Sequence, residues 1–133
     1  LKNYTFIFST KARMKNILAI TDIKLRSSKK TYSRSVTITA KLQNSSNEDI
    51  RESLIVLEIK DNEGSIVKSV RVSLTTELLA GKLQQRTWIF DVNQFISDDM
   101  AFYSLDGGSP TFSAKVSRIE FVNGEILEMA TSL

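Results

Sequence analysis

Four aspartates, Asp91, Asp98, Asp99 and Asp106, fall close together in residues 91–106. Oxygen-rich loops of this kind hold Ca²⁺, and paired carboxylates serve acid–base catalysis. The spacing does not follow the twelve-residue calcium loop that closes on a glutamate. The plainer alternative places Asp98 and Asp99 in the first turn of a short helix and Asp106-Gly107 in a turn. A second set is basic: Lys24, Arg26, Lys29, Lys30 and Arg34, with Tyr32 among them. Cationic and aromatic side chains in one loop bind phosphates and stack on bases. A third candidate is the pair Phe102-Tyr103, set in a polar stretch. Such a pair at a loop tip anchors a partner protein; if the loop instead folds over one end of the domain, Phe102 is buried.

Much other chemistry is excluded. The chain has no cysteine and no histidine, so cysteine nucleophiles, Ser-His systems, disulfides and thiolate or imidazole zinc sites are all impossible. Gly107-Gly108 lacks the Lys-Ser/Thr and the spacing of a phosphate loop. Asn3-Tyr4-Thr5 and Asn44-Ser45-Ser46 match the glycosylation sequon, but Asn44 reads better as a residue that hydrogen-bonds its own turn.

With 133 residues, 41% of them hydrophobic and 25% charged, the chain is expected to form one globular domain with a single core. Its net charge of +3 is unevenly spread. Residues 1–41 carry ten Lys/Arg against Asp22 alone, whereas residues 42–133 carry eight Lys/Arg against fourteen Asp/Glu. That polarity points to an anionic partner for the N-terminal third, to self-association between unlike faces, or to two solvated faces that neutralise each other.

The elements that must position these residues are short strands separated by turn signals about every ten residues. Ile17–Leu25 opens the series, followed by a basic loop, Ser27-Ser28-Lys29-Lys30. From Arg34 to Leu42 the alternation is strict: Val36, Ile38, Ala40 and Leu42 face one way and Thr37, Thr39 and Lys41 the other. Asn44–Asp49 is a polar connection with no side chain suited to a core. Leu54–Lys60 is apolar on both faces and reads as a central strand covered on both sides. Asp61–Gly64 is a tight turn, Ile66–Leu74 the returning strand and Leu78–Gly81 a corner. Leu83–Val92 carries Trp88, which is expected to fill the centre of the core. Residues 97–110 break the pattern as a long loop with room for one helical turn. Phe112, Ala114 and Val116 then run out of phase with Ile119 and Phe121, and a β-bulge near Ser117-Arg118 would restore the register. Asn123-Gly124 predicts a hairpin with a type I′ turn, both central residues at positive φ. Tyr4, Phe6 and Phe8 alternate as in a strand, which suggests an N-terminal extension over residues 1–15 ahead of a domain spanning 16–133.

Val36 to Ile50, a strand followed by Asn44-Ser45-Ser46, resembles a signature of bacterial extracytoplasmic immunoglobulin-like domains, including those called FxLYD. Val56–Gly64, with Asp61-Asn62-Glu63-Gly64, the corner Leu79-Ala80-Gly81 and the hairpin Phe121–Gly124 continue the pattern, which covers roughly residues 20–128. The resemblance implies an adhesion, envelope-associated or spacer module outside the cytoplasm.

The expected fold is therefore an all-β, immunoglobulin or fibronectin-III-like antiparallel sandwich of about seven strands. The expected function is non-enzymatic, with no cofactor, metal or small-molecule substrate. Contacts to a protein partner or to a second copy are expected from Lys24, Arg26, Lys29, Lys30, Tyr32, Arg34, Phe102 and Tyr103, or from the Tyr4–Phe8 segment adding a strand. The rival expectation is an electrostatic binder of nucleic acid, another anionic polymer or a membrane surface through the basic third.

Overall fold

The structure, a computed structural model, describes Met14 and residues 16–129. The expectations placed on Tyr4–Phe8 and on most of the 1–15 extension lie outside those residues, while Met14 itself is buried in the core. Seven strands form two antiparallel sheets: β1 (Leu18–Lys29), β2 (Arg34–Asn44), β3 (Ile50–Lys60), β4 (Ile66–Leu74), β5 (Leu83–Val92), β6 (Thr111–Phe121) and β7 (Ile126–Glu128). One short helix, α1 (Ser97–Tyr103), lies between β5 and β6. The three-stranded sheet has the order β1-β2-β5 and the four-stranded sheet the order β4-β3-β6-β7. The chain thus crosses between sheets three times, and the fold is an all-β sandwich.

Each sheet buries one face because its strands alternate. Val36, Ile38, Ala40 and Leu42 of β2 meet Ile55, Leu57 and Ile59 of β3, and all seven are at most 1% exposed. Burying an aliphatic side chain of this size stabilises the fold by about 1.5–3 kcal/mol. β3 is central in its sheet, as expected, but its outer residues Leu54 and Val56 are half-exposed. Their register partners there are Ser73 and Arg71 on β4 with Arg118 and Lys115 on β6, so long basic side chains flank them, and among the described residues no third layer covers them. Trp88 is not the centre of the core. It pairs with Ile38 on β5, an edge strand, and is only partly buried against the core at the sandwich margin.

Irregularities in the ladders do specific work. Leu54 pairs with Arg118 and Ile55 with Val116, which leaves Ser117 as the extra residue of a bulge, where the phase change in the sequence places it. A second bulge lies in β1 between Thr21 and Lys24, where Asp22 takes a φ of 52°. The β6–β7 turn differs from the expected two-residue form. Its loop is Val122-Asn123-Gly124, the Gly124 N–H donates to the Phe121 carbonyl at 3.0 Å, and the Phe121 N–H donates to the Glu125 carbonyl at 2.9 Å. Gly124 alone is left-handed, at φ 94°, and the Asn123 carboxamide accepts the Glu125 N–H at 2.9 Å. That is the three-residue hairpin, a type I turn closed by a left-handed glycine. The β3–β4 turn repeats it: Gly64 has φ 85° and donates to the Asp61 carbonyl at 3.1 Å.

The polar connection after β2 also departs from expectation, because Asn44 is completely buried. Its Nδ2 donates to the Glu48 and Leu78 carbonyls, both at 2.9 Å, and its Oδ1 accepts from the Ser46 N–H at 3.0 Å and the Ser46 hydroxyl at 2.7 Å. Its backbone joins the same junction, with the Gly81 N–H on its carbonyl at 2.8 Å. Asn44 thereby ties the β2–β3 connection to the β4–β5 corner, and an amide enclosed in this way offers no site for a glycan. At the margins, pairing is unequal: β1 pairs with β2 over ten positions, whereas β7 pairs with β6 at 118–120 alone.

Candidate functional site

The β1–β2 hairpin, the β3–β4 turn and the α1 segment all emerge at one end of the sandwich, because successive strands alternate in direction. Helix α1 caps that end. Phe102 is 1% exposed and meets Phe90 edge-on, with ring centroids 5.9 Å apart and an interplanar angle of 69°. The Lys68 ammonium sits 5.7 Å from the same ring. Phe102 is therefore a core residue and no exposed anchor, since seven helical residues suffice to turn it inward over the open end of the core. Ser27 latches the segment that follows: its N–H donates to Asp106 Oδ2 at 2.8 Å and its hydroxyl donates to the Tyr103 carbonyl.

The basic set divides between two surfaces: Lys29, Lys30, Tyr32 and Arg34 line one groove at the hairpin end, and Lys24 and Arg26 another on the outer sheet face. β1 extends to Lys29, so Ser27, Ser28 and Lys29 lie on a strand, and the connecting loop is Lys30–Ser33, closed by the Lys30 N–H on the Ser33 carbonyl at 2.8 Å. Lys24 and Arg26 project from the outer face of the three-stranded sheet. With Asp22, Thr37, Thr39, Lys41 and Gln85 they line a shallow groove of about 430 Å³. Asp22, set by its bulge, reaches Lys41 at 3.2 Å and Lys24 at 3.8 Å and offsets part of that charge. Arg34 turns inward. It falls in phase with Val36 and Ile38, pairs with buried Val92, and lies under α1. Its Nη1 is 3.4 Å from Met100 Sδ, and its guanidinium carbon is 5.6 Å from the centre of the Tyr103 ring. Arg34 and Tyr103 thus hold the helix, and the signal was present in the alternation that makes residue 34 an inward position.

What the same end does expose is aromatic. Tyr32 at the hairpin tip is 98% exposed and Phe95, between β5 and α1, is 87% exposed. They flank a groove of about 290 Å³ lined by Lys29, Lys30, Asn93 and Gln94 among others, with no acidic side chain. Local hydrogen bonds fix Phe95 outward. The Asn93 carboxamide accepts the Phe95 N–H at 2.9 Å, the Asn93 carbonyl accepts the Ile96 N–H at 3.0 Å, and Asp99 Oδ2 accepts the Asn93 N–H at 2.9 Å. Ile96, next in the chain, is half-exposed. Sequence reasoning passed over Phe95. Its signal is an aromatic placed after Asn93-Gln94, beyond the end of the β5 alternation.

The four aspartates lie apart, with Asp91 on β5 opposite Ser35. Asp99 holds the Asn93 turn, Asp106 holds Ser27, and Asp98 lies in the first helical turn. Among the described residues no three acidic side chains converge on a point that could hold a metal ion. A mostly apolar concavity of about 440 Å³ opens between β1 and β6 and is lined by Met14, Leu18, Ile20, Ala114, Lys115, Val116 and Met129. Among the described residues no helix is long and apolar enough to cross a membrane.

No protein-family model matches this chain, and no curated protein matches it. A solved structure, the X-ray structure of Northeast Structural Genomics Consortium target SoR45, is similar to it at 11% sequence identity, covering 85% of this chain and 80% of that one with a TM-score of 0.46.

Proposed function

We propose that this chain is a non-enzymatic interaction module whose contact surface is the helix-capped end of the sandwich. The observation that carries the reading is the pair Tyr32 and Phe95, two aromatic rings held almost wholly in solvent on either side of a groove that contains Lys29 and Lys30. Large apolar side chains in such positions mark contact surfaces, and amphipathic aromatics dominate the energetics of contacts. The immunoglobulin-like assignment and a place outside the cytoplasm belong to the same proposal. They are supported by the turn pattern from Asn44 to Gly124 and by the three-plus-four division of the strands.

Photo-crosslinking tests it. A benzoylphenylalanine placed at Phe95 in cells of the source organism is expected to give a discrete adduct that Lys29→Glu with Lys30→Glu abolishes. The same group at exposed Ile126, at the other end of the sandwich, is expected to give none. Equal labelling at both positions, or no adduct with either protein or lipid at Phe95, removes the reading.

A second reading has its own observation. Lys24, Arg26 and Lys41 share the outer face of the three-stranded sheet with a line of threonines, a flat cationic surface suited to a polyanion. It predicts retention on immobilised heparin that falls steeply with salt and is lost in Lys24→Glu with Arg26→Glu.

A further inference from the structure

We propose that the occupant of the aromatic end is an anionic bilayer surface, into which Phe95, Ile96 and Tyr32 insert while Lys29 and Lys30 meet lipid phosphates. This inference rests on the interaction-surface reading above and names its partner.

Shape favours a bilayer. The exposed side chains come from the tip of a hairpin and from a separate loop, so they are projections with a groove between them. A protein partner needs a preformed pocket for each projection and a contact of about 800 Å² per side. A fluid interface accommodates projections without a matching shape. Chemistry favours it also. Tyrosine places an apolar ring and a polar tip across a water–lipid boundary. Ile96 follows Phe95 directly and is half-exposed. An isoleucine has no ring to stack on a base or a sugar, so stacking along a polymer leaves it unused, whereas hydrocarbon takes both residues. Charge agrees, because a lysine close to an anionic membrane contributes to binding and no side chain lining the groove is acidic. The carboxylates at the same end are Asp61 and Glu63 of the β3–β4 turn, Asp91, Asp98, Asp99 and Asp106; of these, Asp61 accepts the Glu63 and Ser65 N–H groups, Asp99 the Asn93 N–H and Asp106 the Ser27 N–H.

The backbone holds this end ready. The Asn93 turn directs Phe95 outward, and the hairpin closes through Lys30 and Ser33. The interaction needs no change of fold, only two loop tips meeting the surface together.

The test is co-sedimentation of the whole chain with vesicles of phosphatidylcholine containing about a third phosphatidylglycerol, and with pure phosphatidylcholine, together with the fluorescence of Phe95→Trp read against the parent chain, which carries Trp88 alone. The expected result is binding to the anionic vesicles, a blue shift in the emission of the introduced indole, and affinity at least tenfold weaker both in Tyr32→Ser with Phe95→Ser and in Lys29→Glu with Lys30→Glu, whose folded state is checked by circular dichroism. Three results overturn the inference. Binding that survives removal of the aromatics but is lost in Lys24→Glu with Arg26→Glu means electrostatic adsorption of the outer sheet face. Absence of vesicle binding alongside a protein adduct from Phe95 leaves the interaction surface in place and excludes the membrane; absence of both removes the surface as well.

Discussion

Asn44 connects two turns that are far apart in sequence, and its four side-chain hydrogen bonds leave no polar atom idle. Removing the amide deletes all four bonds, each worth about 0.5–1.5 kcal/mol, while the Leu78 carbonyl keeps the Ile50 N–H and the Glu48 carbonyl keeps the Ser46 hydroxyl. Asn44→Ala is therefore expected to lower the unfolding free energy by about 3 kcal/mol in urea titration, and Ser46→Ala by about 1 kcal/mol, because Asn44 Oδ1 keeps the Ser46 N–H and the Glu48 carbonyl keeps the Asn44 amide. A loss below about 1 kcal/mol for Asn44→Ala means the junction holds without it. The two phenylalanines near α1 make a second contrast at this scale. Phe102→Ala empties a core position and is expected to cost about 3–5 kcal/mol, whereas Phe95→Ala is expected to stay within about 0.5 kcal/mol of the parent. In the sequence these residues look alike, both aromatic and both in a polar stretch. What separates them is the helical turn that aims one inward and the asparagine turn that aims the other out, and neither direction follows from composition.

Period-two alternation made the strands legible, and in the central strands almost residue by residue. The bulge at Ser117 was legible too, because a change of phase between Val116 and Ile119 has no other resolution in a strand whose inner face must stay apolar. The hairpin type was not. Asn-Gly serves a two-residue loop with both residues at positive φ and equally a three-residue loop in which glycine alone is left-handed, and the choice rests on which residues pair across the strands. The observed form gives its own prediction. A Cβ added at Gly64 or Gly124 meets nothing within 4 Å, so the cost of Gly→Ala there is backbone conformation alone. Each is expected to lose about 1–2 kcal/mol, and Gly→Asn less, since asparagine tolerates the left-handed region. Thermal unfolding of the four variants measures it; an alanine variant as stable as the parent would show that the turn relaxes. Arg34 belongs by charge with the basic loop, but its phase in β2 assigns it to the inner face, where it steadies α1.

One hydrophobic cluster spans both sheets and includes Phe102 and Leu105 from the capping segment. Because the cap shares the core, the domain is expected to unfold in one transition. The fluorescence of Trp88, partly buried at the margin of the three-stranded sheet, and the far-ultraviolet circular dichroism should trace the same curve in urea. Two separate midpoints would show that α1 and its latch to Ser27 detach first. The charge asymmetry read along the chain does not become one between sheets, because most acidic residues of 42–133 lie outside the strands. β1 and β2 lie side by side, so Lys24, Arg26 and Lys41 gather on one outer face, and Asp22, the lone acid of that third, sits among them. The inequality between the outer ladders has a mechanical side. β1 starts at one end of the sandwich and β7 runs toward the other, so tension applied lengthwise through the chain loads both ladders in shear. Three register pairs hold β7 and ten hold β1. β7 is thus expected to part before β1 under such a load, a difference that force spectroscopy of the chain held at both ends would read.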